Sequence, residues 1–228
     1  MNGRTLGLAS ILLTLALALV GAWVAARLPG DVRLPIHWNL SGEPDRYAGK
    51  WLALLMPPAV AAALSAFFYF VPSLEPRESN LKRSQGLYLW GWLSILLLVA
   101  TIEAITVSMA LGWKWRVFHV LTAAMGVMFV MIGNQLGKSR SMYLFGIRTP
   151  WTLASEEVWI RTHRTGGKLM VAGGLLLVAV AALPVPSGVL ATTTAVLISI
   201  MVLVPIVYSY LLWRRERRSD GQADRPAT

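Results

Sequence analysis

The chain has 228 residues, 56% of them hydrophobic and 14% charged, with a formal net charge of +10 and no cysteine. The missing cysteine excludes disulfides, thiolate metal sites and cysteine nucleophiles together. So apolar a chain does not read as a soluble domain, and the informative feature becomes the set of runs near the ~20 residues that a helix needs to cross a bilayer.

Leu6–Ala26 is the first such run and carries no charge. It is longer than the ~7–15 apolar residues of a signal-peptide core, so it reads as an uncleaved first span. In the loop that follows, Leu34–Asn39 is predicted to be extended. "SGEPD" reads as a turn, with Gly42 free to adopt positive φ and Pro44 fixing its own. Trp38, Tyr47 and Trp51 suit the membrane interface. Trp51–Val71 is the second span, and Leu87–Leu111 is a third that contains Glu103. Val117–Leu136 is a fourth, interrupted by His119 and by Asn134–Gln135. Leu169–Pro184 is a short fifth and Val189–Trp213 a long sixth. The predicted fold is all-α: a polytopic membrane protein of six transmembrane helices, followed by a basic tail, 214–228, expected to be disordered.

Charge predicts the orientation. The N-terminus, loops 72–86 and 137–168 and the tail hold 15 of the 21 Lys and Arg residues. Loops 27–50, 110–116 and 185–188 hold six. Lys and Arg accumulate on the cytoplasmic side, so both termini are expected there and loop 27–50 outside. The positive excess then lies beside membrane ends, where it meets anionic lipid. Membrane lipid is the expected partner, and direct nucleic-acid binding is not.

Loop 137–168 is polar, basic and rich in Trp, although apolar runs flank it. Gly133 and Gly137 form a small-xxx-small pair suited to close helix approach. Asn134 and Gln135 are placed to hydrogen-bond loop backbone at the membrane edge. In "YLFGIRTPWT", Thr149 precedes Pro150 and is biased away from helix, so this segment is predicted to be non-helical and to lie against the bundle. "SEEVWIRTHRTGG" has the marks of a short interfacial helix between spans four and five. Ser155 caps it, Glu157 and Arg161 are spaced for an ion pair, and Gly166 or Gly167 ends it.

These residues carry a resemblance. The Asn-x-x-Gly-Lys start at Asn134, Gly137 and Lys138, the run Phe145-Gly146-Ile147-Arg148-Thr149-Pro150-Trp151-Thr152, Ser155-x-Glu157-x-Trp159, and Thr162-His163-Arg164 followed by Gly166-Gly167 resemble the signature of the SdpI family. Upstream, Pro35, His37, Asn39, Gly42, Glu43, Pro44, Asp45 and Lys50 resemble the external-loop signature of a small module that often precedes it. The resemblance implies an N-terminal two-helix module, 1–75, with its external loop 27–50, and a four-helix module, 86–213, with cytoplasmic loop 137–168. It further implies immunity to an extracellular peptide toxin, and similarity to a receptor that retains a cytoplasmic transcriptional repressor at the membrane. The signature residues of the two loops then become candidate contacts for such partners.

No enzyme or cofactor is expected. The topology separates His37, His119 and His163, and no HExxH or phosphate-binding glycine loop is present. Glu103 is the sole acid within a span, and an ionisable group there is costly and usually functional. Counting back from the turn at Leu111–Arg116 puts Glu103 within reach of a hydrogen bond to His119. This pair supports an alternative reading, a small proton- or ion-coupled transporter or channel.

Overall fold

The computed structural model describes residues 2–39 and 41–223. Helix α1 (Gly3–Arg27) starts at Asn2, whose side chain accepts the Thr5 N–H. Strands β1 (Arg33–Trp38) and β2 (Pro44–Gly49) pair antiparallel, Arg33 opposite Gly49 and Leu34 opposite Ala48. The extended stretch is therefore as expected. Its partner strand was not anticipated, because "PDRYAG" opens with Pro and has no β-branched residue. Then come α2 (Lys50–Leu74), the short α3 (Glu78–Arg83), α4 (Gln85–Ala110), α5 (Val117–Leu136), the five-residue α6 (Pro150–Ala154), α7 (Glu156–Ala181) and α8 (Ser187–Ala223). Among the described residues, six helices are long and apolar enough to cross a membrane: α1, α2, α4, α5, α7 and α8.

Two boundaries differ from expectation. The segment 155–167 is not a separate interfacial helix; it is the first three turns of α7, which runs through Gly166 and Gly167 without a break. Those glycines serve packing, not termination. A Cβ on Gly167 would lie 2.7 Å from the Gly133 carbonyl oxygen, and one on Gly174 would lie 2.6 Å from that of Gly126. The α5–α7 seam, the most extensive helix contact in the chain, depends on their absent side chains. A short helix does lie in the loop, but it is α6, begun by Pro150 in the region read as non-helical. The sixth span also overruns its predicted end at Trp213. Arg is a good helix former, and α8 continues through Arg214–Arg218 to Ala223, with Arg217 over the Trp213 ring at 5.4 Å. Residues 224–228 of the expected tail lie outside the described residues.

The molecule has two dissimilar ends. At the hairpin end, β1–β2 covers a small apolar cluster of Val24, Ala25, Leu34, Ala48, Ala53 and Leu54. The hairpin turn reaches across the bundle, since a Cβ on Gly42 (φ 86°) would sit 2.6 Å from Ser187 Oγ at the start of α8. At the other end, which holds loop 137–155, lies the larger core around Phe68, Tyr88, Trp92, Met142 and Trp159. Helix α4 packs against α1, α2 and α5 and so joins the two halves.

Candidate functional site: the loop-end platform

The loop between α5 and α7 is fastened from three directions. The first is Glu75, just past the C-terminus of α2 and 4% exposed. Its carboxylate accepts the backbone N–H groups of Tyr143 (3.0 Å), Leu144 (2.8 Å) and Arg77 (3.1 Å). A buried carboxylate held by converging amides needs no cation. Around it, the Arg77 guanidinium donates to Ser141 Oγ and lies over the Tyr143 ring at 4.6 Å. Asn80 donates to the Ser141 carbonyl at 2.9 Å, and the Arg140 N–H donates to Ser84 Oγ at 2.8 Å. The aromatic ring of Phe145 stacks on Phe68 of α2 at 5.4 Å.

The second fastening is His163. Its Nδ1–H donates to the Trp159 carbonyl and its Nε2 accepts the Ile147 N–H, both at 2.8 Å. Only the neutral ring with the proton on Nδ1 satisfies both bonds. The imidazole is stacked on Trp159 at 3.9 Å, and the indole N–H reaches Ser139 Oγ at 3.3 Å. Gly146 closes over this stack. Its φ is 110°, and a Cβ would lie 2.5 Å from His163 Nε2, so both conformation and space require glycine.

The third fastening is the start of α6. Thr149 and Thr152 form a reciprocal capping pair: the Thr152 N–H donates to Thr149 Oγ1 at 3.2 Å and the Thr149 N–H to Thr152 Oγ1 at 2.9 Å. Thr149 also meets Ser209 of α8 at 3.2 Å, Trp151 packs on Tyr210 at 5.1 Å, and Ser155 donates to Glu216 at 2.9 Å.

The motif residues therefore fall into two groups. Phe145, Gly146, Thr149, Trp159 and His163 are framework. Trp159 is fully buried, because its ring fills the space beneath Gly146. Thr152, Thr162, Gly166 and Gly167 are also buried, whereas Asn134, Lys138, Arg148, Glu157 and Arg164 are exposed. Arg148 donates to the Tyr143 carbonyl at 2.5 Å. Asn134, Gly137, Lys138 and Gly167 line one groove with Arg164 and Lys168. Asn134 is exposed and makes no side-chain bond to the loop, while the Gln135 amide packs against Gly86. Glu157 and Arg161 line a second groove with Arg215 and Glu216. They do not form the anticipated ion pair; among the described residues Glu78–Lys82 is the helical pair that forms. Sequence reasoning missed Glu75, Arg77, Asn80 and Ser84. An acid directly after an apolar run, in "SLEPRESN", was the available signal.

In the hairpin, most of the singled-out residues have a local structural task. His37 Nδ1 and Asp45 Oδ1 are 2.6 Å apart. The Asn39 side chain accepts the N–H groups of Ser41 (2.9 Å) and Glu43 (3.1 Å). Gly42 supplies the turn, and Lys50 Nζ donates at 2.5 Å to the Leu28 carbonyl at the end of α1. Pro35 lies in β1 opposite Tyr47.

Glu103 and His119 are both buried, but the predicted bond between them is absent: none of their four polar side-chain atoms has a partner. Glu103 turns instead toward Gly21 of α1, where a Cβ would lie 2.9 Å from its Oε1.

The chain is thus a multi-pass membrane protein whose loop between spans four and five is packed as core. Residues 138–209 match the SdpI/YfhL protein family, and residues 12–70 match a domain of unknown function (DUF1648). Over 150 residues, 66% of this chain and 69% of the relative, it is 25% identical to the immunity protein SdpI of Bacillus subtilis strain 168. The resemblance drawn from the loop motifs therefore holds. No solved structure matches the chain.

Proposed function

We propose that this protein is a membrane immunity protein that protects its cell from an extracellular peptide toxin. The similarity to a protein named for immunity carries the reading. Two features support it: a hairpin with most side chains exposed at one end, and a rigid platform at the other that presents Arg148 and the Asn134–Lys138 groove. In this reading the first two helices and the hairpin are one module, 1–75, and 86–213 a second. Both termini face the cytoplasm and the toxin meets the hairpin. The outward residues of the platform, including Glu157 and Lys138, suit a cytoplasmic partner such as a transcriptional repressor, and the role is not enzymatic. Deleting the gene in the native host and challenging the cells with that host's culture supernatant tests this. Sensitivity that the wild-type gene reverses supports it; equal survival refutes it. Reporters fused after Trp213 and inserted at residues 41–45 test the orientation, and both on one side of the membrane would overturn it.

Glu103 supports a second reading, a proton- or ion-coupled transporter or channel, since a carboxyl without a partner is buried between apolar helices. Uptake or efflux that needs both Glu103 and a proton gradient would favour it over immunity.

A further inference from the structure

Helix α2 contains two adjacent prolines, Pro57 and Pro58, and their effect lies beyond the immunity reading. Proline has no N–H, so Pro58 deprives the Leu54 carbonyl of its usual helical donor. That carbonyl faces Gly21 of α1. A Cβ at Gly21 would lie 2.4 Å from the Leu54 oxygen and 2.9 Å from Glu103 Oε1. One glycine therefore admits this carbonyl and a carboxyl to the same spot. Glu103 is 1% exposed, and neither of its oxygens has a hydrogen-bond partner.

Among the described residues no cation pairs with this carboxyl; the ion pairs among them are His37–Asp45 and Glu78–Lys82. On the elements packed against α4, Arg27 of α1 lies over Trp23 at 3.6 Å, and Lys50 of α2 donates to the Leu28 carbonyl. Arg33 of β1 donates to the Tyr47 carbonyl, and His119 of α5 makes no hydrogen bond. Arg4 of α1 and Arg83 of α3 belong to the other end of the bundle. Tyr88, on α4 itself, donates to the Phe68 carbonyl, and Tyr69 lies in the loop-end half of α2. An ionised carboxylate in this setting pays full desolvation with no compensating partner.

We propose that Glu103 and the Leu54 carbonyl form a proton-binding site inside the membrane. The neutral acid has one O–H to donate, and Leu54 is the acceptor whose usual helical donor Pro58 removes. No hydrogen bond joins them as they stand; a torsion of the Glu103 side chain or a single water completes it. A proton suits the site better than a metal cation, which takes about six oxygens, whereas the Glu103 carboxyl and the Leu54 carbonyl supply three at most. The site lies just beneath the hairpin, since Leu54, Val24 and Val107 belong to the cluster that the hairpin covers. Losing the proton would place an unpaired anion where α1, α2 and α4 meet, which couples protonation to the seating of the hairpin. The proposal stands whether or not the protein moves a solute.

Infrared spectroscopy of the full chain in lipid bilayers, with its glutamates carbon-13 labelled, tests this directly. A protonated-carboxyl band should be present at neutral pH and missing from Glu103→Gln. Pro58→Ala restores an N–H for Leu54 and should shift the band toward that of a more weakly bonded acid. Identical wild-type and Glu103→Gln spectra would overturn the site, as would loss of the band on adding sodium at constant pH. A band unmoved in Pro58→Ala would overturn the role of Leu54. If a variant does not accumulate, pH titration of the labelled wild type decides: among the glutamates, Glu103 should be the last to lose its proton, and full ionisation of every glutamate by neutral pH refutes the proposal.

Discussion

The two ends of this molecule hold their polar groups in opposite ways. At the loop end, the partners come from far apart in the chain: Glu75 with Leu144, Asn80 with Ser141, His163 with Ile147, Thr149 with Ser209. At the hairpin end, His37 finds Asp45 eight residues on and Asn39 finds Glu43 four residues on, with Lys50 bonded to the Leu28 carbonyl as the longer-range exception. The loop end is therefore a junction on which several spans depend, and its buried polar atoms are expensive to strand. The hairpin largely supports itself and leaves most of its side chains exposed. Damage at one end should be read first in the amount of protein, and at the other in what the protein does.

The largest effect is expected from Trp159→Ala. The ring is fully buried beneath Gly146 and stacked on His163, and such a truncation costs about 3–5 kcal/mol. The protein should be depleted in isolated membranes, and the remainder should aggregate at lower temperature when heated in detergent. Normal abundance and heat resistance would remove the distinction between the two ends.

Gly146→Ala should come next, at about 2–4 kcal/mol. It combines an unfavourable positive φ with a clash against the imidazole and indole. Heating in detergent followed by size exclusion reads the loss. A combined Gly146→Ala, His163→Ala variant that is no worse than His163→Ala alone would place the whole cost in this one contact.

Glu75→Gln should cost about 1–3 kcal/mol, because the amide keeps an oxygen acceptor but turns an N–H₂ toward the three backbone donors. Hydrogen exchange should quicken at Tyr143 and Leu144 and stay unchanged in the hairpin. Equal quickening at both ends would mean that the bundle responds as one unit.

Much of this was legible in sequence, and what was missed has a common cause. Apolar length fixes where a span can lie, so the six helices, the extended stretch at residues 34–39 and the Gly42 turn could be read directly. Helix ends outside the apolar core follow different rules. Polarity suggested that α7 began near Leu169, whereas Ser155 caps it four turns earlier and Gly167 continues it by packing on Gly133. The signature residues were recognisable, but their roles as framework or surface were not, because Trp159 and Trp151 look alike until their neighbours are known. The role of Glu75 was missed for the same reason: its partners Tyr143 and Leu144 are nearly 70 residues away. The Glu103–His119 bond was inferred from depth alone, and depth does not say which way a side chain turns.

The smallest structural effect and the sharpest functional test belong to the hairpin. His37 and Asp45 are 55% and 38% exposed, and exposed pairs of this kind contribute roughly 0.2–1 kcal/mol. Asp45→Asn keeps the size and an acceptor oxygen, so abundance and heat resistance should match wild type. The turn has separate supports in the Asn39 side chain and in the bond from the Asn39 N–H to the Glu43 carbonyl at 2.9 Å. A loss of protection in Asp45→Asn, or in Glu43→Gln, at wild-type protein levels would therefore mark surface chemistry that meets the toxin. Full protection in both variants would move the contact away from the hairpin. Reduced protein in both would show that this end, too, is structural, and the contrast between the two ends would fail.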